Sequence, residues 1–560
     1  MTLLDASGRP ISSAPQRRVQ ALAGGFDFTS AYDSGGTRGP VMADWFAQIR
    51  SADLEWIPNR NPSVARARDI VRNDPVGASA VSRRQNSAIG RGWRLSARPN
   101  ARALGIDPAV ARDLGSQMEI EFRSHAYGHA FEMDAERRLN FGQLLRVTTA
   151  HLMVDGDGPA LIEWAPDEGT RYATRLRLVD PDRLSNPMGR MDDRFLRGGI
   201  ERNGVGVPIR YFFRERHPAD LGVDGQRYTW TAYDRFTAWG RPQVLHAFDP
   251  QRAEQTRGVS RFAAALKSFR SLSKFADATL QAATINALMV AFVKSSAGPE
   301  AVSEYLAVDD LKGFETSREG FYEENPVSLS GGARMPVLPF GDEIEMQTAS
   351  RDVASFDAFV RANIRLIAAS LDVTYEELSM DYSQTNYSSA RAAMVHAWAA
   401  TQSLASVLEA QIVRPYYVAF LEEAFDRGYL TVPAGAPDFY DAIDAYAEAK
   451  WIGPGRGYVD PTKEIDAAAA RIEAGVSTLE DECADQGKDW EEVLDQRARE
   501  RDRLRELGLD VATSLGGVSP SQTDAEQEQA RDARPGALAR VRGIARSAEH
   551  AAHLDQRSGA

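Results

Sequence analysis

A single cysteine in 560 residues, Cys483, leaves no internal disulfide to form and excludes the stapled scaffolds of oxidising compartments. It follows Glu480-Asp481-Glu482, an acidic setting that disfavours a thiolate, so it reads as packed and unreactive. Membrane-length apolar runs are missing. The longest, Ala282 to Val293, is interrupted by Thr284 and Asn286 and falls short of the roughly 20 residues a spanning helix needs. The first residues include Asp5 and Arg9 and no apolar core, so no secretory signal is visible and a large intracellular protein without a membrane contact is expected. Only seven of the 66 basic residues are lysine, and histidine occurs eight times.

Catalytic patterns are equally scarce. The one Gly-Lys pair, Gly487-Lys488, is followed by Asp489, and Gly453-Pro454-Gly455-Arg456-Gly457 carries no lysine, so neither makes a phosphate-cradling loop; the second reads as a backbone turn. No Gly-x-Ser-x-Gly elbow is present. His125 and His129 stand one helical turn apart, but Ala126 and Tyr127 follow where a zinc-protease motif needs glutamate, so they read as packing or surface histidines. Glu323-Glu324 and Glu376-Glu377 lie in acidic stretches and read as solvated faces. The expectation is a protein with no catalytic residue, no metal and no cofactor.

What the chain does have is an ordinary globular balance, 43% hydrophobic and 26% charged, and a polarised charge distribution. The net charge is −13, yet residues 1–300 carry 41 basic and 33 acidic side chains, against 16 and 37 in residues 301–500. The nearest approach to a basic stripe is the nine arginines from Arg60 to Arg98. A DNA-gripping protein shows a denser one, and the acidic half should repel phosphate.

Residues 1–40 are rich in Ser, Gly and Pro and read as a mobile arm. Helical patterning starts at Met42 and returns from Asn61, where Asn61-Pro62 predicts a helix start, Pro75 a break, and a second helix is predicted to run to Ile89 and end at Gly90. Trp93–Ala97 alternates like a strand; helices are predicted over Pro108–His125 and Phe141–Val154. Strands follow near Ala160–Trp164 and Arg175–Val179, and Gly199–Glu201 and Pro208–Phe213 form a hairpin across Asn203-Gly204. From Val259 the spacing of Phe262, Leu266, Phe269, Leu272 and Phe275 predicts an amphipathic helix continuing to Lys294. Pro336–Pro339 and Glu343–Gln347 read as short strands, Asp352–Leu371 as a helix, and Ser379–Ser388 as a polar loop. A further helix is predicted from Ser389 to Arg427 with a kink at Pro415, followed by shorter helices to Gly508 and a polar tail with a helical patch around Leu538–Ile544. The fold class is α+β, predominantly helical.

Several separated stretches, in order, resemble the portal proteins of tailed bacteriophages, specifically the family named for phage lambda. They are Ala65–Pro75 with Ile89-Gly90-Arg91-Gly92; His246 through Gln255-Thr256-Arg257-Gly258-Val259-Ser260; Asp381–Arg391; and Gly453-Pro454-Gly455, Val459-Asp460-Pro461, Arg471–Gly475 and Asp489-Trp490. The resemblance implies a portal fold with an α+β wing (41–258), a helical stem (259–294 and 351–371), a small clip (295–350), a tunnel loop (372–388), a kinked wing helix (389–429) and a helical crown (430–510), between a mobile arm (1–40) and a disordered tail (511–560). It implies a homododecamer at one capsid vertex of the virion, assembled in the host cytoplasm. Double-stranded DNA would be packaged through it and later ejected. The implied partners are the terminase large subunit, the major capsid protein or scaffold, and head-completion and tail-connector proteins. The implied DNA-facing residues are Asp381, Tyr382, Ser383, Gln384, Thr385, Asn386, Tyr387 and Ser388. Two other classes stand beside this reading: a metal-dependent nucleic-acid-processing enzyme, which a nuclease assay would reveal, and a non-viral oligomeric scaffold, which neighbouring genes would reveal.

Overall fold

The computed structural model describes residues 48–220, 228–288, 292–295, 342–345, 353–383, 387–457 and 461–509. The arm expected over 1–40, the start of helical patterning at Met42, the tail over 511–560, the strand expected at Pro336–Pro339 and nearly all of the segment 295–350 lie outside the described residues.

Helix α1 spans Ala52–Asn73, with Ser51 Oγ accepting from Leu54 N, and runs through Pro58 and Pro62. This corrects the expected start at Asn61-Pro62. Proline inside a helix removes a hydrogen bond and crowds the preceding turn, but tertiary ties compensate: Trp56 is buried, Asp53 accepts from Thr256, and Arg60 meets Asp157 and Asp182. As expected, Pro75 opens a second helix, α2 (Pro75–Ala88), with Asp74 capping Val76 N and Gly77 N.

Strand β1 (Arg94–Ala97), a short helix α3 (Ala101–Leu104), α4 (Pro108–Tyr127) and α5 (Phe141–Val154) follow. Next come β2 (Asp157–Trp164), β3 (Thr174–Leu178), β4 (Leu196–Arg197), β5 (Ile200–Arg202), β6 (Pro208–Arg214), β7 (Trp230–Asp234) and β8 (Val244–Phe248). Antiparallel pairing gives a three-stranded sheet β3-β2-β8 and a four-stranded sheet β4-β5-β6-β7, the latter containing the expected hairpin.

The amphipathic helix expected from Val259 to Lys294 is shorter at both ends. Residues 260–265 form turns pinned to the end of α5, where Arg261 N donates to Met153 O, and α6 spans Leu266–Leu288. Phe292–Ser295 is a strand, β9, paired antiparallel with β10 (Asp342–Glu345). Helix α7 (Val353–Ser370) returns beside α6. Phe275 meets Phe356 and Phe359 near its start, whereas Ile367 and Ala368 at its end cluster with Phe262 and Phe269, so the two helices run antiparallel.

After α8 (Tyr375–Ser379), α9 (Tyr387–Leu408) passes through a π turn at Glu409–Val413 into α10 (Arg414–Asp426). Pro415 has no N–H to continue the ladder, and the bend it requires falls in the turn just before it. There Gln411 pairs with both backbone groups of Phe248 at the end of β8. Beyond lie α11 (Ile443–Tyr446), β11 (Ala449–Ile452), α12 (Pro461–Glu473), α13 (Leu479–Asp485) and α14 (Trp490–Glu506). Strand β11 pairs with β1 across some 350 residues of chain.

The largest core joins α4, α5, β2, β3, α10 and residues 430–447. At its centre Phe122 makes edge contacts with Phe141, Tyr417, Phe420 and Trp451, with ring centroids 5.3–5.6 Å apart. Aromatic pairs of this kind add about 0.5–1.5 kcal/mol each beyond the area they bury. Cys483 is buried, and burial pushes its thiol pKa up.

Candidate functional site: the loop between two helices and its anchors

The polar segment singled out in the sequence is held at its start by a buried arginine. Arg84 on α2 donates from Nη1 to Thr401 Oγ at 2.9 Å and from Nη2 to Leu371 O at 3.1 Å and to Asp372 O. These carbonyls end α7, where the helix dipole is negative, so a guanidinium is favoured there without a carboxylate in direct contact. Asp372 takes a left-handed conformation (φ 56°), and Val373 N donates back to Ala368 O, closing the helix.

The expected loop over 372–388 is therefore partly helical. Thr374 and Glu377 form a reciprocal capping box that starts α8, which makes Glu377 a structural residue and not a purely solvated charge. Met380 ends α8 with φ 57°, and Arg83 reaches its sulfur at 2.7 Å.

Asp381 accepts from Ser383 N at 3.1 Å and from Tyr375 Oη at 3.2 Å, and these hydrogen bonds, led by Ser383, hold its carboxyl below the usual range. It is a fixed anion at the base of the loop. Tyr382 and Ser383 are exposed. Gln384, Thr385 and Asn386 lie outside the described residues. Tyr387 and Ser388 belong to the first turn of α9, two residues before the expected start at Ser389, because no Gly or Pro from Tyr387 to Leu408 opposes propagation. Asp381–Ser383 thus follows α8, and Tyr387-Ser388 opens α9.

Sequence reasoning missed a second constellation altogether. Asp157, fully buried at the start of β2, is gripped by Arg257 from two nitrogens and by Arg60 Nη2 at 3.4 Å, and lies 3.2 Å from His246 Nε2. Burial alone would raise its pKa; Arg257 and Arg60 outweigh that and hold it well below the carboxylate range. Burial lowers the His246 pKa, against the pull of Asp157. Arg257 also donates to Leu184 O, Gly198 O and Pro181 O at 2.8–3.0 Å, which occupies its whole fork. The neighbouring backbones touch: a Cβ on Gly258 would lie 1.9 Å from Gly156 O, and Gly156 has φ 92°. Only glycine fits at either position. In the sequence, the node is marked only by glycines beside its members, Gly156 and Gly158 around Asp157 and Gly258 after Arg257.

Arg68 extends the network to Asp155, Asp182 and Asp180 at 2.7–3.3 Å. Among the described residues, Asp180, Asp182 and His217 converge closely enough to hold a cation. Arg60 and Arg68 already neutralise both carboxylates, so the arrangement is an ion-pair network. His125 and His129 do not form a ligand pair: His125 is buried 2.7 Å from Tyr416 Oη, with its pKa pushed down to about 3 by burial, and His129 is exposed.

Comparison with known proteins gives one consistent result. The family model described as "Phage portal protein, lambda family" matches residues 38–404. The portal protein of Escherichia phage N15 is 32% identical over 521 residues, covering 90% of this chain and 97% of that protein. Portal protein B of Escherichia phage lambda is 32% identical over 490 residues, covering 86% and 91%. Among solved structures, a chain in the neck of an empty GTA particle computed with C6 symmetry aligns with a TM-score of 0.45 at 15% identity, covering 76% of this chain and 94% of that one. The chain belongs to the lambda family of phage portal proteins.

Proposed function

We propose that twelve copies of this chain form a ring at one vertex of a phage capsid, and that double-stranded DNA enters and leaves through its bore. The observation that carries this reading is the family match over residues 38–404, together with similarity to the N15 and lambda portal proteins along nearly their whole lengths. On this reading the terminase large subunit docks on the ring and supplies ATP-driven force. Capsid or scaffold protein surrounds it, and head-completion and tail proteins later seal it. The ring assembles in the host cytoplasm and ends in the virion; the chain itself performs no catalysis.

Its wing is residues 41–258, with α6 and α7 as the stem, 295–350 as the clip, 389–429 as the kinked helix and 430–510 as the crown. The antiparallel α6–α7 pair supports this assignment. Leu280 and Leu366 are 69% and 63% exposed on it, apolar surface that a neighbouring copy would cover. The 37 acidic against 16 basic residues in 301–500 support a wall that repels phosphate and lets a duplex slide.

The tunnel loop in this reading is 372–388, with Asp381 to Ser388 as its DNA-facing residues. Arg84 and the Thr374–Glu377 capping box hold the segment before Asp381, and α9 begins at Tyr387. The loop offers hydroxyls, amides and one anion to the DNA and no cation before Arg391. Replacing Gln384 and Asn386 by lysine adds two positive charges per chain in that loop. Rings should still assemble, while DNA packaging or retention changes in a salt-dependent way. Unaltered packaging by rings carrying both lysines would show that the loop does not face DNA.

A further inference from the structure

A cleft of about 440 Å³ opens between the β5–β6 hairpin, the end of β7, residues 254–256 and the π turn. Its volume lies within the range of ligand pockets. Its walls combine apolar rings, including Phe236 and Phe248, with two arginines, Arg202 and Arg235. The side chain of Arg202 is 10% exposed; among the described residues its Nε has no hydrogen-bond partner, and the nearest carboxylate, Asp53, is 3.8 Å away. A buried donor left this way costs free energy until something accepts from it. Arg235 lies over the Phe236 ring at 5.0 Å, and that ring is 47% exposed. Among the described residues that line the cleft, the two arginines outnumber the single carboxylate, Glu254.

The first turn of α1 lies beside this cleft. Arg252 donates to Arg50 O at 3.0 Å, and Asp53 accepts from Thr256 N at 2.7 Å, while Gln255 and Thr256 line the cleft itself. Upstream, the sequence Phe26-Asp27-Phe28-Thr29-Ser30-Ala31-Tyr32-Asp33 holds three aromatic rings and two carboxylates without a cation. From Arg50 to Phe28 the chain can extend to roughly 70 Å, and as a flexible coil it averages about 25 Å end to end. A short tether keeps such a segment at high local concentration.

We propose that this cleft is the docking site for the chain's own N-terminal arm, with Phe26 and Phe28 seated against the Phe236 and Phe248 walls and Asp27 facing the Arg202–Arg235 pair. The arm lies outside the residues matched by the family model, which begin at 38, so the inference is separate from the portal reading. It also replaces the expectation of a wholly mobile arm with one pinned near its middle.

The test uses the full chain carrying Phe28→p-benzoylphenylalanine. Irradiation should join position 28 to peptides containing Phe236 or Gln411 of the same chain. Mixing isotopically light and heavy chains separates this from a neighbour's arm. Adducts that join two chains, or that map away from the cleft, overturn the proposal. In amide exchange, residues 26–33 should exchange at least ten-fold faster in Arg235→Glu, while α4 is unchanged, and combining it with Asp27→Arg should restore protection. Arm exchange that ignores Arg235→Glu overturns the proposal as well.

Discussion

Two junctions hold distant stretches of this chain together by opposite means. Around Phe122, four rings from α5, α10 and β11 meet edge to face. Around Asp157, two arginines and a histidine from α1, β8 and the segment after β8 meet one carboxylate in the absence of solvent. The first is non-directional and tolerates a change of shape. The second is specific, and its cost of assembly is hidden until one partner is removed. Charge burial is favourable only while every member is present.

That contrast sets the order of the expected effects. Asp157→Ala leaves Arg257 buried with no carboxylate in contact and Arg60 with only Asp182, and should destabilise by about 3–5 kcal/mol in urea unfolding. Asp157→Asn, although nearly isosteric, should recover little of this, because the charge is what the arginines require. A loss under about 1 kcal/mol for either variant would mean that solvent screens the node. Phe122→Ala should cost about 3 kcal/mol or more through the cavity it opens, but here the conservative change should rescue: Phe122→Leu is expected to recover over half. If Leu fails where Asn succeeds, the comparison is reversed.

Arg84→Met keeps the stem and removes the fork that ties α2 to α7 and α9. About 2 kcal/mol is expected, with faster amide exchange confined to residues 371–383. Global loosening instead would place Arg84 in the main core and deprive the loop of its separate anchor. The smallest effect concerns Glu119, which accepts from Ala97 N at 2.8 Å and whose pKa is pushed up to about 7, mainly by burial. The folded chain holds this proton more tightly than the unfolded one. Its contribution to stability is therefore complete below about pH 4.5 and is lost as the pH rises through about 7. Glu119→Gln should flatten the stability profile across that window; an unchanged slope would assign it to other groups.

Helices were legible because apolar periodicity and proline placement describe them: α2, α4, α5 and α7 lie within a residue or two of their expected bounds, although the strand β11 that brings Trp451 to Phe122 lies where only helices were expected. What failed did so where tertiary contacts override local preference. Asn61-Pro62 has the local form of a helix start, yet the ties of Asp53 and Arg60 carry α1 through both prolines. Phe262 fits the helical stripe, yet Met153 pins the backbone beside it into turns. The Asp157 node was illegible for a similar reason. Its members stand about 100 residues apart, and a buried arginine has no periodicity to betray it. Of the candidate site, the polar character of Ser379–Ser388 was readable, but the capping box and the anchoring of Asp381 by Tyr375 were not, since they depend on a turn of helix that five residues of sequence do not announce.

Particle mass tests the central claim most directly. Native mass spectrometry of the purified full-length protein should show a closed assembly of twelve 61.5 kDa chains. A well-folded protein that stays strictly monomeric at micromolar concentration would contradict the portal ring.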